Sequence, residues 1–266
     1  VLVSVMYVNS EVGMIEPIRE IGKIIKKINE KRLRDWEKRR PAERGQRPQP
    51  IYFHTDATQA INFCNCDVED NFIDLLSLSA HKIYGPKGVG ALYIRTGTPL
   101  ISQQKGGHQE KNLRSGTLNV SGIVGLGSAI DLINKKNQAM NNAKISKLRD
   151  RLAAGLLKNI PKAILNTDCN NSCPAHAHFT FPGAEGESIL ISLDLEGIAV
   201  STGSACASGS LEPSHVLLAM CIKPEIAHNS IRFTLGKYNT EAEIKKVIKV
   251  LPPIIERLRK MNPIYK

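Results

Sequence analysis

The sequence predicts an α/β protein built in two domains, and three observations carry that reading. Short continuous apolar runs, VLVSVMYV at residues 1–8, IYFH at 51–54 and the strand that opens SLSAHKIYGPKGVGALYIR at 77–95, each end in polar or glycine-containing loops, as buried parallel strands do. Helical stripes lie between and after them, at residues 18–28 and 120–133. At 266 residues, the chain exceeds the common single-domain size and can bury a substantial core. We place a partial large domain at residues 1–135 and a smaller α+β domain at 136–266.

Residues 1–8 read as a buried parallel strand, and Asn9-Ser10-Glu11 with Gly13 behind them form a loop suited to a site. Asn9 either faces a ligand there or turns the chain through an Asx-type bond. Ile18, Ile21, Ile24, Ile25 and Ile28 form the next stripe, with Pro17 near its first turn, as a helix start allows. Residues 31–50 then hold eight Lys/Arg against three Asp/Glu in a proline-rich, apolar-poor stretch. A solvated, disordered loop is the first reading and contact with nucleic acid or another anionic surface the second.

Asp56 and Gln59 stand just beyond the strand at 51–54. An aspartate at the carboxyl end of a parallel strand faces a ligand crevice or caps a helix. The 26 residues from Asp56 to Lys82 leave room for one helix and one strand, a βαβ step. Lys82 ends the next strand, where loss of hydration would favour a neutral, nucleophilic amine of the kind Schiff-base chemistry needs. Ser79 and His81 can donate to phosphate oxygens, and Gly85, Gly88 and Gly90 permit close backbone approach.

Arg114-Ser115-Gly116-Thr117 precedes the stripe of residues 120–133, so Thr117 is a candidate N-cap. A polar amphipathic helix at 137–157 joins the domains, followed by strands at 163–165, 176–181 and 198–201 and a helix at 187–193. His176 and His178 alternate with Ala177 and Phe179 and read as exposed strand histidines. Cys206 lies in STGSACASGSLEP, a small-residue loop at about 203–213 able to swing a thiol, and as a thiolate it can attack sulfur. Cys221, inside LLAMCI, reads as structural. Arg232 in SIRFTL can hold a carboxylate through two bonds.

Lys and Arg outnumber Asp and Glu by 36 to 25, a formal charge of +11, which attracts acidic partners. Six cysteines at 64, 66, 169, 173, 206 and 221 form no dense disulfide framework and point to a reducing compartment. Neither Cys64/Cys66 nor Cys169/Cys173 has a second ligand pair at zinc-like spacing, so no metal is expected. The apolar runs are too short to span a bilayer, and a soluble protein is expected. The chain opens on a strand already under way, as a fragment would.

Six stretches together resemble the cysteine desulfurases, pyridoxal-phosphate (PLP) enzymes that supply sulfur for iron-sulfur clusters: VSVMYVNSEVG, FHTDATQA, SLSAHKIYGPKGVGALYIR, RSGTLNV, STGSACASGSLEPSHVL and SIRFTLGKY. They run from the first residues almost to the last, and the cysteine loop is similar to that of the housekeeping type of bacteria and mitochondria. The resemblance implies the PLP-dependent transferase fold of the aspartate-aminotransferase type. It implies that Lys82 carries PLP, Asp56 holds the pyridinium nitrogen, Gln59 bonds the phenolic oxygen, and Ser79 and His81 bind phosphate. Thr117 then reaches the cofactor phosphate of a neighbouring subunit, Asn9 contacts ring or substrate, Arg232 takes the substrate carboxylate and Cys206 receives sulfur. In this family the loop after the first strand reads Asn-Asn-Glu, where this chain has Ser10 in second place, and the connection at 31–50 is short. Implied partners are L-cysteine, a second copy in a homodimer, an iron-sulfur scaffold protein, other sulfur acceptors and frataxin; nucleic acid and membrane are not expected. The implied compartment is the mitochondrial matrix or the bacterial cytoplasm, with the mitochondrial matrix preferred. Rival readings are a catalytically incomplete fragment or interaction subunit, because the family's ring-stacking histidine is not found, and a selenocysteine lyase or other PLP lyase or transaminase.

Overall fold

Strands β1 (Leu2–Met6), β2 (Tyr52–Asp56), β3 (Leu75–Ser79) and β4 (Gly90–Ile94) pair in that spatial order, in a computed structural model that describes residues 1–202 and 212–263. They belong to the first of two units, Val1–Val8 with Glu16–Asn137. β1–β2 and β2–β3 are parallel and β3–β4 antiparallel, with Met6 opposite Asp56 and Asp56 opposite Ser77. β1 is shorter than residues 1–8 and lies at the sheet margin, with Leu2, Ser4 and Met6 exposed. It is therefore not the fully buried strand expected, since an unbroken apolar run does not by itself separate a central from an edge position.

Helix α1 (Ile18–Glu37) buries Ile18, Gly22 and Ile25. A side chain at Gly22 would run into the backbone carbonyl of Asn71, so only glycine permits that approach. Asn29 ties the helix to the start of β2, donating to the Ile51 carbonyl and accepting from the Ile51 N–H, each at 2.8 Å. The helix continues past residue 28 because Lys, Glu, Arg and Leu propagate it well. The basic stretch is thus ordered rather than the disordered loop expected. At the end of α1, the Trp36 indole N–H donates to the Gly45 carbonyl at 2.9 Å, the Arg44 guanidinium lies over the ring at 5.3 Å, and Arg44 Nε donates to the Arg39 carbonyl. One aromatic ring and one guanidinium do the work that an apolar core cannot do here.

The crossover from β2 to β3 contains turns and no regular helix, contrary to the expected βαβ step. Its Asn and Asp side chains capture the backbone N–H groups a helix would use: Asp67 Oδ1 accepts from Glu69 and Asp70, and Asn65 Oδ1 from Asp67. Arg95, after β4, donates to the carbonyls of Val68 and Ile73 and pairs with Glu69 at 2.6 Å, fastening this crossover to the sheet. Helix α2 (Val120–Asp131) is capped by Asn119, whose side chain accepts from Gly122 N; Thr117 is not the cap.

The second unit, Asn9–Ile15 with Gln138–Lys266, has an antiparallel sheet of β5 (Ile164–Leu165), β6 (His176–Thr180) and β7 (Ser230–Thr234). Its helices are α3 (Lys135–Asn159), α4 (Gly186–Leu195), α5 (His215–Ala219), α6 (Pro224–Ala227) and α7 (Glu241–Met261). α7 buries Ile244, Val247, Leu251, Ile254 and Ile255 and opens with a Thr240/Glu243 capping box, a signal present in the sequence and passed over there. Residues 198–201 form no strand; Ser201 alone bridges to Arg232.

β6 is buried along its length, so His176 and His178 are interior residues, not the exposed ones expected. Period-two alternation sorts its side chains. Ala177 and Phe179 lie on one face, where Phe179 meets Phe181 and Phe233. His176, His178 and Thr180 lie on the other, opposite Thr234, Arg232 and Ser230. Residues 9–15 cover this polar face: a side chain on Gly13 (φ +78°) would come within 2.6 Å of His176 Cβ. Thr167 Oγ1 donates to the Val12 carbonyl and accepts from His178 N–H. Cys173 Sγ sits 2.9 Å from His176 Nδ1, and burial pushes that thiol up to about 11. Cys221 is exposed at φ +61°, just beyond α5, rather than packed as expected. The short helix ends before it, and of its apolar neighbours Leu217 is buried while Leu218 and Met220 are exposed as well.

His178 Nδ1 accepts from the Asn166 amide at 2.9 Å, which leaves the ring proton on Nε2. Burial, followed by the charges of Arg232 and His176, lowers its pKa to about 4. An unfolded chain takes up a proton near pH 6.5 while the folded one refuses it, so stability is lost as pH falls from about 6.5 towards 4. The expected slope is about 1.4 kcal/mol per pH unit from this group. Urea denaturation across that range checks it: His178→Asn should flatten the slope, and an unaltered slope assigns the acid sensitivity to other groups.

Candidate active site

Parallel pairing of β2 with β3 brings two strand ends to one edge of the first sheet. Asp56 closes β2, and the Ala57 N–H donates to the Ser77 carbonyl at 2.9 Å, which fixes the loop after Asp56 against β3. Asp56 Oδ1 accepts from the Thr58 N–H at 2.8 Å, so the carboxylate organises its own turn and remains exposed. Gln59 follows, half-buried, in that turn.

The chain leaves β3 at Ser79 through a 3₁₀ turn, Ala80–Ile83. Ala80 and Ile83 are buried with Leu126 and Ala129 of α2, so the two apolar residues of the Ala-His-Lys-Ile sequence face inward. His81 and Lys82 are left facing out. The Asn62 amide donates to the Lys82 carbonyl at 3.0 Å, a support that no sequence signal marked. Ser79 Oγ lies 2.7 Å from His81 Nδ1. Lys82 is exposed, so the loss of hydration expected for it does not occur here; it stands on the turn beyond the strand rather than on the strand.

The three glycines serve chain geometry. Gly85 packs against Ala80 and Ala129, Gly90 lies against the Leu78 carbonyl within the β3–β4 ladder, and Gly88 (φ +77°) turns the chain with open space around it. Close backbone approach is real, but its partners are protein atoms. Thr117 is exposed ahead of α2, while neighbouring Ser115 is buried and donates to the Gln104 carbonyl.

In the second unit, Asn9 Oδ1 accepts from the N–H groups of Glu11 and Val12 at 2.9 and 3.0 Å, the Asx-type turn foreseen as one of its two roles. Arg232 is held on β7 by paired backbone bonds with Ser201, and its Nη1 donates to the Ser10 carbonyl at 2.8 Å. Glu11, buried, accepts from Ser214 Oγ at 2.6 Å; no sequence signal marked it. Cys206 lies outside the described residues. Among those described, no group of three or more His, Cys, Asp or Glu could hold a metal, and no helix is long and apolar enough to cross a membrane.

Chemically, the first unit offers an amine, a carboxylate one strand away and a hydroxyl–imidazole pair beside the amine. An exposed amine can condense with an aldehyde, a carboxylate can keep a ring nitrogen protonated, and the hydroxyl–imidazole pair suits a phosphate. The second unit offers a planar cationic fork on a strand.

Comparison with known proteins identifies the family of the chain. A cysteine desulfurase, IscS, of Clostridium botulinum is 48% identical over 267 residues, covering all of this chain and 62% of the relative. A solved structure titled NifS-like protein superposes with a TM-score of 0.79 at 35% identity, over 97% of this chain and 60% of its own. Another, titled SspA in complex with cysteine, gives 0.66 at 30% identity, over 90% of this chain and 60% of its own. The chain therefore spans about three fifths of the length of the relatives it matches. The model of the class-V aminotransferases matches residues 42–247, and with both strand-end groups inside that span, the chain belongs to the class-V aminotransferase family.

Proposed function

We propose that this chain carries the cofactor-binding and sulfur-accepting residues of a PLP-dependent cysteine desulfurase. The observation that carries the reading is the meeting of Asp56, Ser79, His81 and Lys82 at the carboxyl ends of two adjacent parallel strands. The IscS relative and the cysteine-bound SspA support the substrate.

When bound, PLP supplies an aldehyde that takes up amines and a ring that delocalises negative charge from a substrate carbon. Lys82 is the amine that anchors it and afterwards the group that moves a proton at the substrate Cα. Asp56 keeps a proton on the ring nitrogen, Gln59 donates to the phenolic oxygen, and Ser79 and His81 hold phosphate. Arg232 fixes the substrate carboxylate with its fork, and Asn9 shapes the loop beside it. The Cys206 thiolate attacks the substrate sulfur: a sulfur–sulfur bond forms and the carbon–sulfur bond breaks with its electron pair left on carbon. Protonation of that carbon gives alanine, and Cys206 keeps the sulfur as a persulfide.

In the same reading Thr117 serves the phosphate held by a second copy, so the working protein is a homodimer. An iron-sulfur scaffold protein and other acceptors, with frataxin among the partners, take the sulfur onward. The Clostridium relative favours the bacterial cytoplasm over the mitochondrial matrix.

Lys82→Ala should abolish the borohydride-reducible link to PLP while leaving the melting profile intact, because the side chain is exposed. Peptide mass spectrometry after reduction checks the position, and PLP found on another lysine removes Lys82 from its role. Cys206→Ser should retain PLP yet lose alanine release by at least roughly 100-fold, since a serine hydroxyl is hardly ionised at neutral pH. Brief exposure of the unsubstituted protein to cysteine should add one sulfur to Cys206; sulfur on Cys64, Cys66, Cys169, Cys173 or Cys221 instead refutes the assignment.

A further inference from the structure

α1 presents two unlike faces. One holds Ile18, Gly22 and Ile25 in the core and Asn29 on the Ile51 backbone. On the opposite side Lys23, Lys27, Lys31, Arg34 and Lys38 fall within about 80° of one another at 100° per residue, and all five are exposed. Lys38 is the helical C-cap, so the row spans about 22 Å at 1.5 Å per residue. Glu20 shares this arc only in the first turn. Glu30 and Glu37 flank it on one side and Asp35 on the other, with Glu30 3.8 Å from Arg34, both exposed. At the far end, the Trp36–Arg44–Gly45 closure holds the next segment, which adds the exposed cations Arg39, Arg40 and Arg47.

From this we propose that the outward ridge of α1 is a binding surface for the sugar-phosphate backbone of a nucleic acid, engaged without reading its sequence. Continuation of the helix through residues 31–37, where a disordered loop was the first reading, is what aligns these cations with Lys23 and Lys27. One duplex strand carries a charge about every 3.4 Å of axis, so a 22 Å ridge lies along about six phosphates, enough to engage all five cations. The ridge has no aromatic ring for base stacking, because Trp36 is turned to Arg44 and Gly45. Contacts with phosphate alone confer no sequence preference. A protein partner fits less well: four of the five cations are lysines, which interfaces between proteins disfavour, and only Ile24 and Ile28 lie exposed beside them. A membrane surface fits less well still, because the apolar face that an interfacial helix would insert is already buried.

The test is fluorescence anisotropy of the purified protein with a labelled RNA single strand and a DNA duplex, each about 24 units long and of mixed sequence, from about 50 to 200 mM salt. Binding to the duplex should weaken with a log–log slope near −4.5 for five contacts, and a second unrelated sequence should bind equally. Lys27→Glu, Lys31→Glu and Lys38→Glu together should cost roughly 100-fold at the lowest salt, with circular dichroism unchanged. Lys158→Glu, Lys245→Glu and Lys249→Glu, exposed cations elsewhere, remove the same charge and should cost less than about threefold. Undetectable binding, equal losses in the two variants, or tighter binding to polyglutamate or phosphatidylserine vesicles than to either nucleic acid each overturns the proposal.

Discussion

The parallel register of β2 and β3 is the constraint on which the candidate site depends. Parallel neighbours end at the same edge of a sheet, so residues far apart in sequence arrive together only if both strands run the same way. Asp56 opposite Ser77 sets the spacing, and the buried pair Ala80 and Ile83 sets the direction in which His81 and Lys82 leave the turn. A slip of one residue would exchange inward and outward faces along the strand. The Phe53 N–H bonded to Asp74 Oδ2, and the Asp74 N–H bonded to the Phe53 carbonyl, oppose such a slip.

The second sheet solves a different problem. It carries an aromatic face and a polar face, and buried polar groups must find partners. Residues 9–15 supply part of that cover, with Gly13 thin enough to lie on His176 and the Val12 carbonyl receiving Thr167. Asn166, Thr180 and Ser230 complete the chain of bonds around His178. The same loop gives Arg232 its Ser10 carbonyl, so packing of the histidines and placement of the guanidinium are one arrangement.

Strand and helix existence was largely legible, because periodicity is local: residues 18–28, 77–79, 176–181 and 187–193 all lie in or overlap elements of the expected kind. What failed was set partly by tertiary context and partly by local side-chain bonds and helix ends that periodicity does not reveal. His176 and His178 alternate in sequence as surface residues would, yet a neighbouring loop covers their face. Residues 65–72 have room for a helix, but Asn and Asp side chains compete for its N–H groups. Cys221 sits among aliphatics in the chain and emerges where a five-residue helix stops. The identity of the site residues came from motif order, to which geometry adds which groups meet within each unit.

The closure at Trp36 has an optical consequence. The sequence contains a single tryptophan, and it lies in the basic extension, stacked with Arg44 and bonded to Gly45 rather than set in either core. Intrinsic tryptophan emission from this protein therefore reports on about ten residues at the end of α1. A folding transition followed by that light would record the end of α1 and, through the same helix, the first unit in which Ile18, Gly22 and Ile25 are buried; the second unit holds no tryptophan and would unfold unseen.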